Sequence, residues 1–258
     1  MGKTAAMAVN VTMHGSTLVV EIDRPERRNA LDGATLGGIG TAFADAETDT
    51  SVRAVVLTGA GDDAFCAGGD LRATGADRMP PPGSPGIEVF TTRCYPKPVV
   101  AAVNGAAVGG GLELMLACDL VVAADHATFS VPEVKRGLVG AGCTTRLTAR
   151  LPPAIVFELC AIGDPFPASR AFDLGLVNAV VPRTEVLATA LSLAERVTAN
   201  APLALALTKQ LLWDEARMHD ADEWAAIRAK AAPVFASNDA REGAAAFAER
   251  RAPNWTGS

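Results

Sequence analysis

A chain of 258 residues that is 49% hydrophobic and 20% charged, with a formal net charge of −6, has the make-up of a globular protein with a sizeable core. The acidic balance and single tyrosine argue against a nucleic-acid partner. No apolar run reaches about 18 residues and the N-terminus has no signal-like apolar stretch, so a cytoplasmic protein without membrane contact is expected. Cys66, Cys94, Cys118, Cys143 and Cys160 are scattered without a CxxC pair and read as reduced thiols; the isolated His14, His126 and His219 support neither a metal site nor a Ser-His-Asp triad.

In chain order, "LVVEIDRP" predicts a β-branched strand stopped by Pro25. A helix is expected from Asp32 to about Thr48, with Asp32 as its N-cap. "RAVVLTG" has the continuous apolar character of a buried strand. Gly59-Ala60-Gly61-Asp62-Asp63-Ala64 imitates a dinucleotide fingerprint, but two carboxylates stand where a pyrophosphate belongs and no amphipathic helix follows, so it reads as a polar turn. "AFCAGGDL" begins extended and breaks at Gly68-Gly69. Residues 73–86 form the most loop-like stretch, since Pro80 to Pro82 exclude regular helix.

"KPVVAAVNG" predicts a further buried strand, followed by Gly109-Gly110-Gly111 and the helical "LELMLAC"; "DLVVAAD" and "ATFSV" predict two more strands. After Pro132 the pattern is mainly helical, with one strand at "LVNAVV", and from about Thr184 it is amphipathic helix throughout. The order implies an α/β core with an appended helical layer, and such layers often serve assembly.

Gly68-Gly69-Asp70 and Gly109-Gly110-Gly111 share one grammar: an apolar strand, glycines, then a segment able to start a helix. Such bends leave N–H groups unpaired, either to stabilise an oxyanion or because glycine permits close packing. Glu113 falls in the first turn after the triple glycine, where it favours the helix dipole, and Glu133 follows Pro132. They cannot share a helical face. Brought together by the fold, two acids in an apolar pocket would repel and push at least one pKa upward.

Taken in order, "DRPERRNAL", "AFCAGGDL", "KPVVAAVNGAAVGGGLEL", "ACDLVVAADHATFSVPEVKRGL", "GLVNAVVP" and "NDAREGAAAFAERRAPNW" resemble the crotonase, or enoyl-CoA hydratase/isomerase, family from about Thr17 to Trp255. The resemblance implies a spiral of β-β-α repeats over residues 1–198 and a C-terminal helical oligomerisation region over 199–258, in a homotrimer or dimer of trimers. It implies that the amides of Gly69 and Gly110 hold a thioester oxygen. Ala67, Gly69, Asp70, Leu71, Arg72 and Gly110 would line acyl-CoA, with Arg27 and Arg28 towards its adenine and phosphate end and Arg250 reaching the CoA of a neighbour. Both Glu113 and Glu133 match catalytic positions of hydratases, so the implied reaction is addition of water across the 2,3 double bond of an enoyl-CoA. No cofactor is implied beyond the coenzyme A of the substrate. A Δ3-Δ2 enoyl-CoA isomerase, for which Glu133 alone could suffice, and a non-catalytic acyl-CoA-binding protein are the alternatives. One departure stands out: hydratases commonly have Ile-Pro-Gly-Ala-Gly-Gly after the second glutamate, where this chain has Leu138-Val139-Gly140-Ala141-Gly142-Cys143, without the proline and with a connection expected to be one residue shorter.

Overall fold

The computed structural model describes residues 8–215, 221–254 and 256; His219 and Trp255 lie outside the described residues. Strands β1 (Val9–His14) and β2 (Thr17–Ile22) form an antiparallel hairpin turning at Gly15, whose φ is 60°. β1 is absent from the sequence reading although Val9, Val11 and Met13 alternate along it; of the three only Val9 is buried. Helix α1 (Gly33–Thr48) starts as expected: Asp32 Oδ1 accepts from the Thr35 N–H at 2.9 Å and from its hydroxyl at 2.8 Å.

Three strand pairs follow, each succeeded by helix. β3 (Ala54–Gly59) and β4 (Ala64–Cys66) lead to the short α2 (Glu88–Thr91). β5 (Val99–Val103) and β6 (Ala106–Val108) lead to α3 (Gly110–Ala117). β7 (Leu120–Ala124) and β8 (Thr128–Ser130) lead to a 3-10 turn, Pro132–Arg136, then α4 (Ala141–Thr148) and α5 (Pro153–Ile162). β9 (Phe166–Pro167), α6 (Ala168–Asp173), β10 (Ala179–Val181) and α7 (Val186–Thr198) complete the core.

The first strand of each pair joins a six-stranded sheet of order β1-β2-β3-β5-β7-β10, and the second joins a four-stranded sheet of order β4-β6-β8-β9. Pairing from β2 to β10 in the first sheet, and from β4 to β8 in the second, is parallel. This is the expected β-β-α spiral: β4, β6 and β8 are neighbours, and their C-terminal ends lie on one edge of the small sheet. Every residue of β3 and β5 is buried, which is why both are unbroken apolar runs rather than alternating ones. β6 and β9, at three and two residues, are too short to show a period and are missed by sequence.

The proline-rich stretch 73–86 holds a 3-10 turn at Gly75–Arg78 and is docked tightly on α1. A β-carbon on Gly33 would lie 1.9 Å from Met79 O, and one on Gly40 2.2 Å from Pro85 O. The sequence is therefore glycine-rich along α1 so that this loop can lie on the helix backbone.

Three helices close the chain: α8 (Pro202–Glu215), α9 (Ala221–Phe235, with Pro233 inside it) and α10 (Asn238–Glu249). Buried Lys209 ties α8 to the core by donating to Lys97 O at 2.8 Å and Asp119 Oδ2 at 2.7 Å. α10 packs on the 3-10 turn, where a β-carbon on Gly243 would be 2.1 Å from Arg136 O. Leu203, Leu207 and Leu211 recur at four-residue spacing on α8 and are all exposed. Among the described residues, no helix is long and apolar enough to cross a membrane.

Candidate active site

The first glycine bend follows β4. Ala67 N–H donates to Arg28 O at 3.0 Å, Leu31 N–H to Gly68 O at 2.8 Å and Asp70 N–H to Leu31 O at 2.8 Å. The amides of Ala67 and Asp70 are thus committed, while the Gly69 N–H has no protein acceptor among the described residues. Gly69 is exposed, and a β-carbon there would meet nothing within 4 Å. Gly68 needs its φ of 85°, and a β-carbon on it would sit 2.7 Å from Val108 O.

The bend is pinned by Arg24, which sequence reasoning passed over. Its guanidinium donates to Ala30 O at 2.5 Å, Asp32 Oδ2 at 3.0 Å and Asp70 Oδ2 at 3.1 Å. Asn29, left-handed at φ 55° and fully buried, accepts from Arg24 N–H at 3.0 Å and donates to Ala60 O and Ala64 O. Burial raises the Asp70 carboxyl, but hydrogen bonds from the Arg72 N–H and Arg24 outweigh it and hold the pKa below the usual aspartate value.

The triple glycine has three separate causes. Gly109 is left-handed (φ 53°) and its α-carbon faces Glu133, whose Oε1 would be 2.8 Å from an added β-carbon. Gly111 lies on β4, where a β-carbon would be 2.0 Å from Cys66 O. Gly110 has only ordinary neighbours: an added β-carbon would be 3.5 Å from Leu31 Cδ1 and 3.7 Å from Gly69 N. As the first residue of α3, Gly110 has an N–H that no helical carbonyl can accept. The two bends therefore lie side by side, each with an unused amide, and the α3 dipole is behind one of them.

Glu113 sits one turn into α3, its N–H bonded to Gly109 O at 2.9 Å. The segment anticipated as a departure touches both acids: a β-carbon on Gly142 would be 2.1 Å from Glu113 Cδ, and one on Gly140 would be 3.1 Å from Glu133 Cδ. The fold thus brings the two carboxylates to one short segment at the start of α4. Burial is the main cause that pushes both pKa values up. Their mutual repulsion, which the sequence reading put first, is the smallest contribution for Glu133; for Glu113 the neighbouring charges are Arg146 and Glu88. Glu133 Oε2 is buried and accepts no hydrogen bond among the described residues. Cys143, where glycine is common in hydratases, directs its thiol to Gly109 O at 3.1 Å.

Arg27 and Arg72 line a cavity of about 460 Å³ with Asp32, Asp70, Asp77 and Met79, beside the first bend. Arg28 and Leu71 are exposed outside that lining, Arg28 with a φ of 54°. Arg250 ends α10 with a φ of 55° and is exposed. Arg24 and Asn29 stand within "DRPERRNAL", yet their roles escape a motif search because they act through contacts between distant segments.

Three comparisons bear on this arrangement. A family model described as enoyl-CoA hydratase/isomerase matches residues 12–258. A carnitinyl-CoA dehydratase from Proteus mirabilis is 38% identical over 98% of this chain and 99% of its own length. A carnitinyl-CoA hydratase from Mycobacterium avium superposes with a TM-score of 0.91 at 39% identity, covering 98% of this chain and all of that one. An enoyl-CoA hydratase from Mycobacterium tuberculosis H37Rv superposes at 0.75 with 43% identity, over the same shares of the two chains. The two amide-bearing bends and the two glutamates they accompany thus stand in a chain that belongs to the enoyl-CoA hydratase/isomerase, or crotonase, family.

Proposed function

We propose that this protein hydrates the 2,3 double bond of an enoyl-CoA thioester, a hydro-lyase reaction read in either direction. The observation that carries the reading is the pair of unused amides, Gly69 and Gly110, set side by side with two desolvated glutamates within the same elements. The amides hold the thioester oxygen as it becomes an enolate oxygen, a role for which one preorganised donor contributes roughly 3 to 4 kcal/mol. Glu113 takes a proton from water as its oxygen bonds to the β-carbon. The C=C electrons move to the α-carbon and carbonyl, and Glu133 gives its proton to the α-carbon. The product gains H and OH, and the two carboxyls regain their starting states by proton exchange with solvent.

Ala67, Asp70, Leu71 and Arg72 line the acyl-CoA, while Arg27 and Arg28 meet its phosphates and adenine end; this side of the reading is supported by the cavity that Arg27 and Arg72 share. Arg250 serves the CoA of a neighbouring subunit in a homotrimer or dimer of trimers. Residues 1–198 carry the site and 199–258 serve assembly, with the exposed Leu203, Leu207 and Leu211 of α8 as candidate contacts. The five unpaired thiols accord with a cytoplasmic protein, and coenzyme A enters only as part of the substrate.

The deciding experiment follows the loss of crotonyl-CoA absorbance with Glu133→Gln, for which turnover falls by about 10² to 10⁴. Wild-type turnover by that variant removes Glu133 from the mechanism. A product heavier by one water separates hydration from Δ3-Δ2 isomerisation. The names of the similar proteins favour a carnitinyl thioester as a second substrate to test beside crotonyl-CoA.

A further inference from the structure

Cys143 is 1% exposed and sits in the first turn of α4, in the segment whose glycines leave room for the Glu113 and Glu133 carboxylates. Its thiol donates to Gly109 O at 3.1 Å, joining α4 to the start of α3. The same oxygen accepts the Glu113 N–H at 2.9 Å, so both of its lone pairs are engaged. On its other side Gly109 donates its N–H to Ser130 O of β8 at 3.0 Å. The buried thiol of Cys118 makes a useful contrast, because it donates to Leu114 O one turn back in its own chain segment and links no second element. Gly109 O and the Gly110 N–H belong to one planar trans peptide unit and point in opposite directions. A donor that pulls on the oxygen therefore acts on the amide at the far end of the same plane, by fixing its aim and by drawing charge from its nitrogen.

We infer that Cys143 is a positioning residue for the thioester oxygen: by bonding the Gly109 carbonyl, its thiol aims and polarises the Gly110 amide. The glycines on either side of Gly110 let the bend fit where it lies, and the thiol sets the tilt of the peptide between Gly109 and Gly110. Burial pushes the Cys143 thiol well above its ordinary value of 9.0, and the carboxylates of Glu113 and Glu133 push it the same way, so it keeps its proton and can donate. The family resemblance does not supply this bond, since glycine is common at this place in hydratases and has no side chain to make it. The inference rests on the hydratase reading above.

The test compares Cys143→Ala, Cys143→Gly and Cys143→Ser. Butyryl-CoA labelled at its thioester carbonyl has no double bond to hydrate, so it reports the site without turnover. Bound to the wild type, its infrared carbonyl stretch falls below that of the free thioester. C143A and C143G return part of that shift, and C143S, which keeps a donor, retains most of it. With crotonyl-CoA, C143A lowers kcat by roughly three- to tenfold with KM within about twofold, and C143S restores most of the rate. Should C143A not fold, C143G carries the same comparison. A side chain that only fills space would change the melting temperature and leave the carbonyl stretch alone; an unmoved stretch in C143A and C143G, or a C143S shift no larger than theirs, overturns the inference. A wild-type complex whose carbonyl stretch equals that of the free thioester instead sinks the oxyanion reading, and the role of Cys143 with it.

Discussion

The two bends that present amides to the same place are held in opposite ways. The Gly69 bend is exposed and tethered by ions: one guanidinium, that of Arg24, reaches Asp32, Asp70 and a backbone carbonyl. The Gly110 bend is wedged by packing: Gly111 lies on the Cys66 carbonyl and Gly109 against a carboxylate. Gly68 packs on Val108 O, but the exposed tip at Gly69 has no such contact and charge-assisted bonds hold it, whereas the second bend is placed by the absence of side chains. The contrast predicts that the first bend answers to charge and the second to volume.

The largest expected effect separates reach from stability. Gly69→Ala adds a methyl group into open space, so the fold keeps its melting temperature, yet the thioester oxygen can no longer approach the amide and kcat/KM falls by about 10² to 10³. Next comes Gly111→Ala, whose methyl group would overlap backbone; a loss of about 3 kcal/mol in denaturant melts is expected. Gly110→Ala, by contrast, meets only ordinary contacts and stays within about 1 kcal/mol of the wild type.

Arg24→Met tests the ionic tether. It should cost about 1 to 3 kcal/mol and lower kcat more than it raises KM, because it loosens one amide without removing a substrate contact. A kcat left unchanged would show that the bend holds its shape without the ions. The smallest effect is one of sign. The Asp70 carboxyl lies below its ordinary value of 3.8, so its contribution is present above that pH and is lost as pH falls through the folded value. Glu133 lies above its ordinary value of 4.5, so stability is full below 4.5 and declines as pH rises through the folded value. Hydrogen exchange across acid to neutral pH, corrected for intrinsic rates, should loosen residues 69–72 towards acid and 109–111 towards neutral. Glu133→Gln should flatten the second trend alone.

What sequence made legible follows the same contrast. α1 with its Asp32 cap, the buried runs of β3 and β5 and the two glycine bends each carry a local signal of cap, period or composition. The resemblance then picked out Glu113 and Glu133, which no spacing rule could join across twenty positions of chain. The contacts of Arg24 and Asn29 were not legible even within "DRPERRNAL", since an arginine or asparagine in sequence does not reveal whether it faces water or two distant segments. The cause of the raised glutamates was misjudged for a related reason. Burial is a property of the assembled walls, and neither acid's own neighbours in sequence could show that it outweighs repulsion.

The alternation of β3/β4, β5/β6 and β7/β8 between two sheets has one more result. Gly69, Gly110 and Glu133 each follow the second strand of their own coil, so equivalent points of three successive coils lie along one edge of the small sheet, spaced by the roughly 5 Å step between adjacent strands. A residue gained or lost after one such strand can therefore reshape one coil while its two counterparts keep their alignment. A scaffold of this kind can change its chemistry one coil at a time.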